Sequence, residues 1–105
     1  MSKKREKGEA NLLLQQHMDE LRIPWVAEYK FHPTRKWRAD YRLGKSVLVE
    51  IEGGIYTRGR HSRGAGMEAD IEKYNAAIAL GYKLYRFSTG QVLTGKAREF
   101  LKENL

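Results

Sequence analysis

Residues 37–54 read WRADYRLGKSVLVEIEGG. Two alternating runs meet at a Gly44-Lys45 turn, the pattern of a β-hairpin. In the first run Trp37, Ala39, Tyr41 and Leu43 share one parity, and Arg38, Asp40 and Arg42 share the other. In the second, Val47, Val49 and Ile51 point one way and Glu50 and Glu52 the other, because successive strand side chains alternate between faces. A glycine pair then ends the strand. Two carboxylates on one face of a core strand need a reason in a chain whose formal net charge is +7.

The surrounding sequence extends the pattern. Residues 25–31 (WVAEYKF) alternate as well, with Trp25, Ala27, Tyr29 and Phe31 on one face and Val26, Glu28 and Lys30 on the other. A turn at 32–36 (HPTRK), punctuated by Pro33, joins this run to the hairpin. The three runs predict an antiparallel meander with one apolar face and one polar face. Before them, Ala10, Leu14, His17, Met18 and Leu21 recur at spacings of three and four. That spacing predicts a helix from Glu9, closed by Pro24, behind a flexible basic tail at 1–8.

After the hairpin comes a glycine-rich basic loop at 53–66 (GGIYTRGRHSRGAG). A second helix follows, with Met67, Ile71, Tyr74 and Ile78 as its expected buried stripe and Gly81 as its stop. Residues 82–87 (YKLYRF) read as a fourth strand, and an amphipathic helix from about Leu93 closes the chain. The order is αβββαβα. A strand that follows a helical crossover pairs parallel, so the expected fold class is α/β, a mixed sheet flanked by helices.

With 105 residues, the chain is long enough for one domain, placed at 9–105. No run approaches the roughly 20 apolar residues of a membrane span. No apolar stretch follows the N-terminal charges as a secretory signal requires, and there is no cysteine. These features fit a cytoplasmic protein (host cytoplasm, if phage-encoded). Lys plus Arg outnumber Asp plus Glu 20 to 13, which favours a polyanionic partner, nucleic acid ahead of an acidic membrane.

On these strand readings Glu28, Asp40, Glu50 and Glu52 occupy the polar faces of neighbouring strands, which lie about 4.8 Å apart. Unrelieved, such groups repel and their pKa values rise, so a cation is expected among them. One reading is a hard divalent ion serving phosphodiester hydrolysis. The other is a solvated face on which the acids pair with Lys30, Arg38 and Arg42. The abrupt Gly-Gly and the Arg- and His-rich loop after Glu-x-Glu favour the first.

The order αβββαβ, an Asp on the second strand and a Glu-x-Glu on the third resemble the PD-(D/E)XK nuclease superfamily. The strings WRADYRL, VEIEGG, GRHSRG, DIEKYNAA and GYKLYRF resemble the small standalone phage and bacterial nucleases related to very-short-patch repair endonucleases. The resemblance covers roughly residues 9–88. It implies a restriction-endonuclease-like core in which Asp40, Glu50 and the backbone carbonyl of Ile51 hold Mg²⁺, or Mn²⁺, with Glu28 contributing through water. The family's usual lysine is replaced by Glu52. Members that have moved this lysine to the following helix make Lys73 the alternative, sharing a helix flank with Asp70 and Ala77.

In the basic loop Arg58, Arg60 and Arg63 are expected to grip the DNA backbone together with Arg38, with glycines allowing close approach. His61 is a candidate acid, base or water-positioning group. His17 reads as a packed histidine and His32 as a turn residue. The expected function is a metal-dependent DNA endonuclease selective for structure, such as a branched junction or a mismatch, and acting as a homodimer where both strands are cut. Two alternatives stand beside it: a DNA-binding module with the same fold and no catalysis, and a basic α/β domain with a protein partner.

Overall fold

The computed structural model describes residues 3–53 and 65–105, with side chains described for 7–53 and 66–105. Arg58, Arg60, His61 and Arg63 lie outside the described residues. The elements run α1 (Lys3–Glu20), β1 (Trp25–Lys30), β2 (Arg38–Leu43), β3 (Val47–Glu52), α2 (Ala65–Ala79), β4 (Lys83–Ser88), α3 (Thr89–Leu93) and α4 (Lys96–Asn104). The sheet order is β1-β2-β3-β4, antiparallel through β3 and parallel between β3 and β4. This is the mixed α/β sheet that the element order predicts, compatible with a restriction-endonuclease-like core.

Three elements differ from the expectation. Helix α1 begins at Lys3 rather than Glu9. The C-terminal segment is two helices, not one. Ser88 caps α3 through a reciprocal box, its Oγ accepting from Gln91 N while Gln91 Oε1 accepts from Ser88 N. Gly95, at φ 84°, then turns the chain into α4.

The third difference concerns which way side chains face. The meander does not have one apolar and one polar side, because helices cover both. Trp25, Tyr41, Leu43, Val47, Val49 and Ile51 pack with Ala10, Leu14 and Met18 of α1 and with residues of α3 and α4. Phe31, Ala39 and Leu48 pack with Ala77 of α2, joined by Tyr29, Trp37, Tyr82 and Leu84. Residues of one parity therefore lie in different cores: Trp25 against Tyr29 and Phe31 on β1 and its end, Tyr41 against Ala39 on β2. The changeover falls at the level of Glu28 and Asp40. Glu28 has φ 53°, left-handed backbone within a strand, which strict alternation does not anticipate.

One polar anchor fixes α1 to the sheet. The buried Tyr41 hydroxyl donates to Asn11 Oδ1 at 2.6 Å and accepts from Gln15 Nε2 at 2.9 Å. Both α1 and α2 stop in the same way. Ile23 N and Arg22 N return to Met18 and Asp19 carbonyls, and Tyr82 N and Gly81 N return to those of Ala77 and Ile78. The left-handed residue is Gly81 in one case and Arg22, at φ 58°, in the other.

The buried stripe expected on α2 is overturned. Met67, Ile71 and Ile78 are about half exposed, at 51%, 52% and 58%, whereas Ala77 is fully buried. The face toward the sheet is the flank carrying Lys73, Tyr74 and Ala77. Burying the rest of each apolar side chain would gain about 1 kcal/mol. Leaving the buried Glu50 without a partner would cost about 3–5 kcal/mol. The two terms are of similar size, and the rotation observed is the one that brings Lys73 to the buried Glu50.

Candidate active site

The hairpin ladder between β2 and β3 pairs Leu43 with Val47, Arg42 with Leu48 and Tyr41 with Val49, and pairs no further toward the end of β3. Beyond that point two carboxylates replace main-chain partners. Asp40 N–H donates to Glu50 Oε2 at 2.7 Å, and Ile51 N–H donates to Asp40 Oδ2 at 2.7 Å. Each strand thus holds the other through one acid side chain. Hydrogen bonds of this kind fix the two side chains firmly in place.

Helix α2 supplies the cation. Lys73 Nζ lies 2.9 Å from Glu50 Oε1, and both side chains are largely buried. The Tyr74 hydroxyl spans the two strand glutamates, 3.3 Å from Glu50 Oε1 and 3.4 Å from Glu52 Oε2. Burial, reinforced by the charges of Glu50 and Glu52, pushes the Tyr74 hydroxyl well above its ordinary pKa. It therefore stays a hydrogen-bond donor. Glu52 is engaged elsewhere: its Oε2 accepts from Arg86 Nε at 3.1 Å, and the Arg86 guanidinium also covers the Tyr74 ring at 4.4 Å. That bond to Glu52 is the main reason the Arg86 pKa lies above its usual value.

The acids therefore pair with Lys73 and Arg86, and neither belongs to the set Lys30, Arg38 and Arg42. Arg42 donates to the Gly44 carbonyl and sits over the Tyr29 ring. A cleft of about 550 Å³ opens above this floor, lined by Glu28, Asp40, Glu50, Ile51, Glu52, Asp70, Lys73 and Tyr74, with Lys7, Lys36, Trp37, Arg38 and Gly53 among the remaining residues. Glu28 and Asp70 are exposed lining residues, as is Arg38. Among the described residues no group of three or more Asp, Glu, His or Cys side chains is arranged to hold a metal ion. The four strand acids share the cleft without forming one cluster. Asp40 and Glu50 are the pair brought into direct contact with each other's strands.

The fold built around this cleft is known elsewhere. The catalytic domain of a homing endonuclease, I-Bth0305I, superposes with a TM-score of 0.67, covering 90% of each chain at 18% identity. At that identity the likeness is one of fold. No protein-family model matches the chain, and no curated protein matches it in sequence. No helix among the described residues is long and apolar enough to cross a membrane.

Sequence reading missed several cleft residues. Tyr74 was assigned to the buried stripe, but its hydroxyl reaches both glutamates. Arg86 stands opposite Glu50 in the parallel register of β3 and β4, a placement that only the register reveals. Lys7 was placed in the tail and Lys36 in the turn. Trp37 lines the cleft, and Arg35 lies over its ring at 3.9 Å while pairing with Glu72 at 2.7 Å. His32 serves the turn: its Nδ1 accepts from the Arg35 N–H at 2.9 Å and the Thr34 N–H at 3.2 Å, which places its proton on Nε2. His17 is half-buried on α1, its Nδ1 buried without a hydrogen bond among the described residues.

Proposed function

We propose that the chain is a metal-dependent endonuclease that hydrolyses DNA phosphodiester bonds, with Asp40 and Glu50 as its catalytic pair. The observation that carries this reading is the reciprocal lock of these two carboxylates where β2 and β3 part, under a lysine from α2. A fold shared with a homing endonuclease catalytic domain and a net charge of +7 support it. The relation to PD-(D/E)XK nucleases, and within them to very-short-patch repair enzymes, belongs to the same proposal.

Asp40, Glu50 and the Ile51 carbonyl are hard oxygen donors, the kind Mg²⁺ takes while keeping several waters. The site already accommodates a cation, since the Lys73 ammonium sits on Glu50 Oε1. Bound there, Mg²⁺ would lower the pKa of a water and neutralise charge on the phosphate. The chain's own groups do the rest. Asp40 keeps Oδ2 on the Ile51 N–H and offers Oδ1. Lys73 stands in for the missing motif lysine, because Glu52 is held by Arg86 and Tyr74. Its ammonium stabilises the charge that builds on the phosphoryl oxygens as water attacks phosphorus and the P–O ester bond breaks. The products are a phosphomonoester and a free hydroxyl.

A preference for DNA structure, a four-way junction or a mismatch, remains our expectation, with two copies acting together where both strands are cut. The test is cleavage of linear duplex, single strand, mismatch, flap and junction DNA with Mg²⁺, Mn²⁺ or EDTA. Cutting that requires the metal supports the reading, and the preferred substrate names the job. Binding with no cutting under either metal would make the chain a DNA-binding module instead.

A further inference from the structure

We propose that Lys7 is a phosphate-binding residue of the cleft, seated across Gly53 and acting with Lys36 and Arg38 to hold the DNA backbone over the Asp40–Glu50 pair. This rests on the nuclease reading and names how the substrate is held. Lys7 lies on α1, outside the βββαβ segment that carries the acids and Lys73. Its side chain nevertheless lines the same cleft.

Its stem runs alongside Gly53. A Cβ on Gly53 would stand 3.4 Å from Lys7 Cδ, 3.7 Å from its Cβ and 3.9 Å from its Cγ. The lysine stem therefore lies against the chain just after β3. Lysines bury such stems along a surface and keep the charged head in water. The backbone beneath is tied as well, with Asn11 Nδ2 donating to the Lys7 carbonyl at 2.9 Å.

The cleft's charge explains why a cation is needed there. Glu28, Asp40, Glu50, Glu52 and Asp70 all line it, and that floor repels a phosphodiester backbone. Lys73 is occupied by Glu50, and Arg86 by Glu52. Lys7, Lys36 and Arg38 line the same cleft, and none of them forms an ion pair among the described residues. Cations left unpaired beside five acids are suited to phosphates flanking the reacting one. Such contacts fix register without reading sequence.

The test is fluorescence anisotropy of a short labelled duplex in EDTA, so that nothing is cut, across a series of salt concentrations. Wild type, Lys7→Ala, Lys7→Arg and Gly53→Ala are compared, with circular dichroism as the check on folding. One lost phosphate contact flattens the slope of log affinity against log salt by about 0.9. Lys7→Ala is expected to show that change, and Lys7→Arg and Gly53→Ala to keep the wild-type slope, since a Cβ at residue 53 would meet the lysine stem at ordinary contact distance. A Lys7→Ala protein with the wild-type slope and affinity would overturn the assignment of Lys7 while leaving the nuclease reading intact. A wild-type protein showing no salt-dependent DNA binding would overturn both.

Discussion

Glu50 takes hydrogen bonds from the Asp40 N–H of β2 and from the Lys73 and Tyr74 side chains of α2. It is also the one buried acid among the strand carboxylates, at 7% exposure. Removing its cation should therefore be costly for the fold. Lys73→Met is expected to lose about 3 kcal/mol of stability in chemical denaturation, the usual cost of breaking a buried pair. Glu50→Gln added to it should recover part of that loss, because the two side chains act as one unit. Tyr41 provides a pH test. Burial raises the pKa of its hydroxyl above the ordinary 10.0, so the folded state holds that proton where the unfolded chain releases it. Its stability contribution is full below about pH 10 and declines as pH rises toward the folded value. Tyr41→Phe should flatten that alkaline decline, read as denaturation midpoints on either side of pH 10. At this scale the sequence was informative where strand alternation places a group, as with Glu50 two before Glu52, and where the family resemblance pointed to a lysine on the following helix, Lys73. It was silent on Arg86, which meets Glu52 and Tyr74 from β4, and on Lys7, which lines the cleft from α1.

Helix α2 shows how an element can be located correctly and still be rotated wrongly. Its apolar residues suggested a stripe through Met67, Ile71 and Ile78, and its stop at Gly81 was legible because that residue takes a left-handed φ of 98°. The rotation observed instead brings Lys73 to a buried carboxylate on the sheet, which no helical pattern encodes. Ile78→Gln should accordingly change stability by no more than about 0.5 kcal/mol, whereas Ala77→Leu, forced into a filled site, should cost about 1–3 kcal/mol. The two helix stops allow a matched comparison by thermal or chemical unfolding. Gly81→Ala places a side chain in a left-handed position at a cost of about 1–2 kcal/mol, and Arg22→Gly relieves the same strain at the end of α1 and should stabilise. The strands were readable to within a residue or so, since alternation marks them. The changeover between faces at Glu28 and Asp40 was not readable, because a left-handed Glu in a strand carries no sequence signal. The Ser88 and Gln91 capping box was visible in the sequence as a helix start, and it would have divided the C-terminal segment into two helices.

Across the molecule, charges of both signs meet at one cleft. A chain with a net charge of +7 gathers five carboxylates along one cleft and sets Lys7, Lys36 and Arg38 along the same cleft. Two helices with Lys73 and Lys7 converge on the place where β2 and β3 separate, so the α1 and α2 layers both contribute to the site. The α/β class and the element order followed from periodicity, since they depend on patterns that persist along the chain. The site's wiring depended on contacts between distant segments. In the proposed function, the locked Asp40–Glu50 pair is a metal-dependent catalytic centre. The most direct test is nicking of supercoiled plasmid by wild type and by Asp40→Asn, with Mg²⁺ or EDTA, after each protein is shown to be folded. A catalytic centre of this kind should let wild type cut in Mg²⁺ alone and should lose at least about a hundredfold in Asp40→Asn. Equal cutting by both proteins, or cutting by wild type that survives EDTA, would contradict it.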